Sequence, residues 1–167
     1  MEEQIFFKNL LWLGKKPDYF NKLNEGLCYI FDRTIGFLQN GSFLEINDHQ
    51  PQDHNDPELD YLKLPSGFLN CSKILTQILL NYKFKDAVLL IDEPELHLEP
   101  RACRRLINFI FYLHFKKEPE WEAQNIYYPI KERVEKKRKL FPEKYINKIF
   151  PGNDNSFDWV LNSTLTH

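Results

Sequence analysis

The feature that most constrains the fold of this chain is a short apolar run that stops at two adjacent carboxylates. Residues Ala87–Ile91 are all aliphatic, and Asp92, Glu93 and Pro94 follow directly. A run of this length between polar residues predicts a strand buried on both faces of a parallel sheet. Because open α/β sheets bind ligands at the carboxyl ends of their strands, we expect the acidic pair at such a rim. A buried strand that ends in a solvated acidic turn is the simpler alternative.

The residues after the run extend the pattern. Ile91–Pro100 reads IDEPELHLEP, which resembles the Walker B motif of ABC-type ATPases, in the form found in SMC, RecF and OLD heads. The resemblance implies that Asp92 holds Mg²⁺ bound to ATP and that Glu93 polarises the attacking water. It also aligns Glu99 with the acid of the D-loop, which lies at the interface between two heads. For His97, a structural role in the turn is the simpler interpretation.

A second motif, LPSG at Leu64–Gly67, precedes the acidic pair. It resembles the signature loop of the same ATPases, although Pro65 and Phe68 depart from the usual form. The resemblance implies that Ser66 and Gly67 contact the γ-phosphate of ATP on a partner head, and a helix N-terminus suits an anion. A turn that caps an ordinary core helix is the alternative. The helix itself is predicted, with Ser66 as N-cap, from apolar residues on one face: Leu75, Ile78, Leu79 and Tyr82.

The sequence contains no Walker A motif, which would read G-x-x-x-x-G-K-[ST]. Among its six glycines, only Gly14 precedes a lysine, but Lys16 replaces the Ser/Thr and Asn9 stands where the first glycine belongs. In the resembled family this motif lies well upstream of the signature. The chain therefore resembles the later portion of a head, with the rest supplied by an upstream partner, or it is a fragment or a decayed copy. Alone, it is expected to bind ATP poorly or not at all.

The remaining pattern predicts one α/β domain, a partial P-loop NTPase with parallel core strands. Residues 17–47 predict a helix over 17–31 and a hairpin of Thr34–Gln39 and Ser42–Ile46 around Asn40-Gly41. Residues 48–60 predict a polar surface loop. Residues 64–115 hold the signature helix, the Walker B strand and a helix over Arg101–Phe115. That last helix is expected to turn Cys103, Ile107, Ile110 and Leu113 inward and three arginines elsewhere: Arg101, Arg104 and Arg105.

Residues 116–156 depart from the family pattern and predict a helical insertion rich in basic and aromatic residues. The segment KERVEKKRK predicts a helix that contacts nucleic-acid phosphates through its basic residues: Lys131, Arg133, Lys136, Lys137, Arg138 and Lys139. A solvated helix face is the alternative, because Glu132 and Glu135 interrupt the charge. Docking of a partner protein on this insertion is equally plausible.

The last segment, 157–167, resembles the switch-histidine strand of these ATPases. An apolar stretch ends in Ser163, Thr164, Leu165, Thr166 and His167. The resemblance implies that His167 hydrogen-bonds the γ-phosphate and senses hydrolysis. A frayed terminus is the alternative.

Composition adds a few limits. The 167 residues carry a net charge of −2 and 15% aromatics, which predicts one packed domain without a bulk attraction to nucleic acid. Three cysteines without C-x-x-C spacing predict reduced thiols rather than a zinc site. No apolar stretch approaches the ~20 residues that span a bilayer, and the acidic N-terminus disfavours a secretory signal. We therefore expect a cytoplasmic protein with no membrane partner.

Together, the motifs predict hydrolysis of ATP with Mg²⁺ at the interface of a homodimer, or of a complex with another ATPase polypeptide. In the resembled branch, such heads serve DNA repair, chromosome handling or anti-phage defence, which is inference by fold alone. A non-catalytic subunit that docks on a complete ATPase is the second hypothesis.

Overall fold

The computed structural model describes residues 2–47, 60–81, 88–114 and 120–151. Within these ranges the fold is α/β, with six helices and one small antiparallel sheet. The elements, in chain order, are α1 (Glu2–Gly14), α2 (Pro17–Phe31), β1 (Thr34–Phe37), β2 (Phe43–Ile46), a 3₁₀ turn (Tyr61–Lys63), α3 (Ser66–Leu80), α4 (Pro100–His114), α5 (Glu120–Arg138) and α6 (Glu143–Ile149).

Helix α2 is the centre of the molecule and is buried on every side. It begins at Pro17, where the fixed φ of proline suits a first helical turn. The predicted bounds are confirmed, and burial extends around the helix, since every residue from Phe20 to Ile30 is buried. The reason is that α1, α3, α4, α5 and β1 all pack around it. Gly26 permits this packing, because a Cβ there would stand 2.6 Å from the ring of Phe109.

The predicted hairpin is confirmed. Strands β1 and β2 pair antiparallel, with Thr34 opposite Ile46 and Phe37 opposite Phe43. Asn24 of α2 fixes the hairpin to the body. Its side-chain amide donates to the carbonyls of Phe37, at 3.0 Å, and of Ile149, at 2.7 Å, and its oxygen accepts from the Phe37 amide at 2.8 Å. One buried side chain therefore joins α2, β1 and α6.

Helices α3 and α4 form where they are predicted, with three corrections. Leu75, Ile78 and Leu79 are buried on α3 as expected, but the N-cap is Pro65 and not Ser66, whose side chain forms no capping bond. On α4, Ile110 and Leu113 are buried as predicted, but Cys103 and Ile107 are only partly buried. The other buried apolar residues of α4 are Ala102, Leu106, Phe109 and Tyr112. Arg105 lies on the buried face of α4 at 9% exposure, against the prediction that it points elsewhere. The i, i+3, i+4 spacing from Ala102 places it there. Tyr82 and Phe115 lie outside the described residues.

The prediction of a buried parallel strand over Ala87–Ile91 is not met by the described part of that segment. Residues 88–91 form no strand, and Val88 and Leu90 are 83% and 88% exposed. Among the described residues, β1 and β2 bond only to each other, so no neighbouring strand supports residues 88–91. A strand cannot be buried in a sheet when its neighbours are lacking. Ala87 and the polar residues 48–59 lie outside the described residues.

Helix α5 confirms that the basic segment is helical. Its Ile130 and Val134 join the main core. The residues after α5 pack on the hairpin and form a second, smaller core with it. The members of this second core are Cys28, Leu38, Leu44, Ile46, Phe141, Tyr145, Ile149 and Phe150. The apolar side chains of this segment that the structure describes as buried, from Ile130 to Phe150, are therefore packed on the body.

Candidate functional site

A cavity of about 500 Å³ lies between the start of α3, the turn before α4 and the edge of the hairpin. Residues 64–67, the LPSG motif, form one wall. His97, Leu98 and Glu99 form the opposite wall, followed by Arg101 and Arg105 of α4. Asp32, Arg33 and Glu45 close the side next to the hairpin. The structure thus brings the two segments that resemble ATPase motifs, 64–67 and 97–99, into one pocket.

The contact between these walls is made by Gly67. A Cβ at this position would collide with the carbonyl oxygen of His97, so only glycine fits without a shift of the backbone. The sequence predicts that this glycine admits a phosphate. In the structure, the backbone of the following turn occupies that approach, and Gly67 is buried. Ser66 is exposed beside it and lines the pocket.

The turn from Glu93 to Leu98 holds its shape with unusual backbone angles. Glu93 has φ 47° and His97 has φ 61°, in the left-handed region that non-glycine residues rarely adopt. Two bonds close the turn, from the Leu96 amide to the Glu93 carbonyl at 3.0 Å and from the Leu98 amide to the Glu95 carbonyl at 2.9 Å. The angle at His97 accompanies the contact of its carbonyl with Gly67. Backbone strain of this kind is of the order of 1–3 kcal/mol and is found at functional sites.

Charged side chains surround the pocket in partly matched pairs. Arg33 and Glu45 form an exposed ion pair at 3.1 Å. Arg105 faces Asp32 at 3.9 Å, a longer and weaker pair. Burial lowers the pKa of Arg105 from its ordinary value, the positive charges of Arg133 and Arg101 lower it further, and Asp32 opposes them. Four basic and three acidic side chains line the pocket, so the basic groups are in excess by one: Arg33, Lys63, Arg101 and Arg105 against Asp32, Glu45 and Glu99.

The predicted catalytic acids lie apart from this pocket. Asp92 and Glu93 are both exposed and do not line it. No group of three His, Cys, Asp or Glu side chains gathers as a metal site within the described parts of the chain. Mg²⁺ in ATPases is held by one or two carboxylates together with nucleotide phosphates. Asp92 fits such a shared role, and it cannot form the site without phosphate oxygens from elsewhere.

The other predicted site residues divide in two. Glu99 lines the pocket directly before α4 and is exposed, and its carbonyl accepts the Cys103 amide at 2.9 Å. His167 lies outside the described residues. Sequence reasoning missed several charged residues of the pocket, namely Asp32, Arg33, Lys63, Arg101 and Arg105. Arg101 and Arg105 had a usable signal, since they are spaced i, i+4 directly after the motif.

Comparison with known proteins gives a family match. The family model of an AAA domain, described as putative AbiEii toxin of a type IV toxin–antitoxin system, matches residues 6–126. No curated protein and no solved structure matches significantly. Among the described residues, no helix is both long and apolar enough to cross a membrane. The family match covers more than half of the sequence and includes both motifs of the pocket. The chain therefore belongs to the AAA domain family of putative AbiEii toxins, an ATPase-like family.

Proposed function

We propose that this chain is the signature and Walker B portion of an ATPase head whose central sheet and P-loop are completed by another polypeptide segment. That segment is an upstream part of the same protein or a separate chain. The observation that carries the proposal is the exposed apolar stretch Val88–Leu90 directly before Asp92 and Glu93.

Exposure of three consecutive apolar side chains is unfavourable in a folded chain. Burial of a Val or Leu side chain contributes about 2 kcal/mol, and Val88 and Leu90 are more than four-fifths exposed. Their β-branched and leucine composition suits a strand between two parallel neighbours. A partner sheet that receives this stretch would place Asp92 and Glu93 at the carboxyl end of a strand, where such sheets bind ligands.

In the completed head, each predicted residue has a role. Mg²⁺, bound with ATP, would stabilise charge on the phosphates, and Asp92 would hold it through water. Glu93 would orient the attacking water and accept its proton. Ser66, exposed at the first turn of α3, would face the nucleotide of a second head. Gly67 would join it only after the His97 carbonyl moved away from the start of the helix. Glu99 would lie at the interface between the two heads. His167 would hydrogen-bond the γ-phosphate.

The pocket supports the contribution of a second head. It is lined by residues 64–67 and 97–99, the two segments that the resemblance aligns with loops presented to a nucleotide held on a second head. A homodimer of completed heads, or a complex with another ATPase, would supply that second nucleotide-bound head. DNA repair and anti-phage defence are the biological roles that the resemblance favours.

A non-catalytic role is the second candidate, and one observation favours it. Asp92 and Glu93 are exposed and follow no strand within the described residues, so the described fold does not build a catalytic edge around them. A subunit of this kind would lend its pocket to a complete ATPase without hydrolysing ATP on its own acids.

The test is ATP hydrolysis by the chain alone and with the polypeptide encoded directly upstream, each with and without Mg²⁺. The proposal predicts activity only in the mixture. Glu93→Gln should reduce turnover about a thousandfold, the scale of losing a positioned base together with its electrostatic effect. Glu95→Gln, at another exposed acid of the same turn, is the matched control and should retain activity.

The outcomes separate the two candidates. Hydrolysis in the mixture that survives Glu93→Gln would favour the non-catalytic subunit, with the chemistry on the partner. Hydrolysis by the chain alone at the same rate as the mixture would contradict the need for a completing segment.

A further inference from the structure

We propose that the end of α5 and helix α6 together form a basic surface that binds the phosphate backbone of a nucleic-acid duplex. The basic surface is defined by four exposed lysines: Lys136, Lys139, Lys144 and Lys148. The sequence singles out the first two as part of KERVEKKRK, and the structure adds the two of α6. The inference is independent of the proposed function, since none of these lysines lines the pocket or belongs to either ATPase-like motif.

Positive charge is concentrated in this part of the chain. Residues 136–148 contain six basic residues and one acidic residue, a net charge of +5, whereas the whole chain carries −2. The rest of the chain is therefore acidic. A local excess of this size on an otherwise acidic protein attracts a polyanion to one face and repels it from the others.

Packing between the two helices holds the basic surface together. Helix α5 ends at Arg138 and α6 begins at Glu143, so only residues 139–142 connect them. Phe150, directly after α6, contacts Phe141 with ring centres 5.5 Å apart, and the Arg138 guanidinium lies 5.0 Å from the Phe150 ring. The lysines of both helices are therefore carried by one packed unit, so a partner meets them with little ordering of the backbone.

The two lysines of α6 lie near the same aromatic ring. The Nζ atom of Lys144 is 4.9 Å, and that of Lys148 5.8 Å, from the centre of the Tyr145 ring. Two ammonium groups near one ring repel each other. Lys144 also lies in the first turn of α6, where the backbone N–H groups disfavour a cation. Glu143 offsets part of this cost, and an anion bound between the two ammonium groups would offset more.

The acidic residues nearby do not neutralise the basic surface. Glu132 and Glu135 lie one turn before the two lysines of α5, a spacing that suits ion pairs. Within the described residues, however, none of the four lysines has a carboxylate at ion-pair distance. The dipole at the end of α5 favours lysines there without any partner. The lysines of α6 lack that explanation and are therefore the part of the surface that points to an external anion.

The side chains of this surface suit a duplex better than a single strand. Proteins bind single strands largely by stacking bases on aromatic side chains, and Phe141, Tyr145 and Phe150 are at most 9% exposed. A duplex presents one negative charge per ~1.7 Å of its axis. Lys144 and Lys148 are separated by about 6 Å along the helix axis, so both can reach phosphates of the same strand.

The experiment is fluorescence anisotropy of a labelled short DNA duplex titrated with the full chain, between ~50 and ~200 mM salt. The single strand and labelled polyglutamate are titrated in parallel. The main variant is Lys144→Gln/Lys148→Gln. The matched control is Lys8→Gln/Lys15→Gln, which removes the same charge from exposed positions of α1. All four lysines are exposed, so both double variants are expected to fold, and circular dichroism checks this.

The proposal predicts binding of the duplex that weakens steeply with salt. Each lysine that no longer neutralises a phosphate should reduce the log–log slope by about 0.9, which corresponds to about eightfold weaker binding at ~0.1 M salt. The α6 double variant, and likewise Lys136→Gln/Lys139→Gln, should therefore bind the duplex about sixtyfold more weakly. The α1 control should bind as the unaltered chain does.

Three results would overturn the proposal: no binding of the duplex at ~50 mM salt, full affinity in the α6 double variant, or an equal loss in the α1 control. Tighter binding of the single strand or of polyglutamate than of the duplex would also overturn it, because the surface would then serve another class of partner. ATP hydrolysis by the completed head does not depend on these lysines, so failure of either proposal leaves the other standing.

Discussion

The two segments that resemble ATPase motifs differ in how this chain supports them. The LPSG segment begins a 15-residue helix with a buried face, and its Gly67 packs against the backbone of the opposite wall. The segment Val88–Glu93 has no strand neighbour among the described residues, and its apolar side chains are exposed. The LPSG segment is therefore held by local packing, whereas Val88–Glu93 would need neighbouring strands that the described residues do not provide.

This difference explains why the family can be recognised although the described residues build the surroundings of only one of the two motifs. A signature-like loop needs only its own helix and the adjacent turn. A Walker B strand needs a sheet. In the proposed function, the pocket belongs to this chain and the catalytic edge forms only in an assembly. The following changes test that division in order of expected effect.

Gly67→Ala should have the largest effect on stability, because it disturbs the packing between the LPSG segment and the turn before α4. The new Cβ would collide with the His97 carbonyl oxygen, so either α3 or the turn must move. Overpacking against backbone should lower the free energy of unfolding by about 3 kcal/mol, measured by urea denaturation. Ser66→Ala is the matched control and should change it by less than about 0.5 kcal/mol, because the Ser66 side chain forms no capping bond. Equal stability of both variants would mean that the two walls are not packed together.

The buried body should respond to pH through Lys22 of α2. Burial lowers its pKa to about 7, although Glu25 and Asp18 act in the opposite direction. Above pH 7 the unfolded chain keeps the proton that the folded chain loses, so stability should rise with pH, by at most about 1.4 kcal/mol per unit.

The useful window for that measurement is pH 7 to about 8.5. Burial raises the pKa of Cys28 to about 12, so the unfolded thiol releases its proton first and stability falls above the ordinary thiol range. The double variant Lys22→Met/Glu25→Leu removes the ionisable pair and should abolish the rise in urea denaturation between these pH values. A rise that persists would show that Lys22 does not carry it.

Replacement of the exposed apolar stretch should have little effect on the isolated chain. Val88→Asp and Leu90→Asp should each change the free energy of unfolding by less than about 0.5 kcal/mol, since both side chains are already in water. Leu75→Asp, at a fully buried position of α3, is the contrasting control and should unfold the protein. The same Val88 and Leu90 variants should prevent binding of the completing segment in co-purification. A large loss of stability would mean that the stretch is packed after all.

The smallest expected effect concerns the basic helix α5. Glu132 and Glu135 are exposed along with Lys136 and Lys139, and Arg138 lies 5.0 Å from the centre of the Phe150 ring. Nucleic-acid binding there remains a prediction. Charge reversal at Lys136, Lys137 and Arg138 should weaken binding of duplex DNA and reduce its salt dependence by about 0.9 in log–log slope for each phosphate that is no longer neutralised. Absence of binding at ~50 mM salt would end this hypothesis, because phosphate interactions are strongest at low salt.

Local signals predict much of this molecule. The predicted helix over 17–31 and the hairpin around Asn40-Gly41 form as expected, and the helix predicted over Arg101–Phe115 is seen as α4 from Pro100 to His114. The failures concern what packs on each element. Arg105 lies on the buried face of α4 together with Leu106 and Phe109. The space beside Gly67 is filled by the His97 carbonyl rather than open to phosphate. The sequence does not distinguish a glycine that makes room for a backbone carbonyl from one that makes room for a phosphate. For residues 87–91, composition indicates a strand but cannot say which polypeptide supplies its neighbours.

Amide hydrogen exchange at residues 88–91 tests the central claim most directly. In the chain alone, these amides should exchange at nearly the unprotected rate while α2 is strongly protected. Addition of the upstream polypeptide should slow them by at least about a hundredfold, as expected for a strand that enters a sheet. Strong protection in the chain alone, or unchanged exchange in a complex that hydrolyses ATP, would contradict the account.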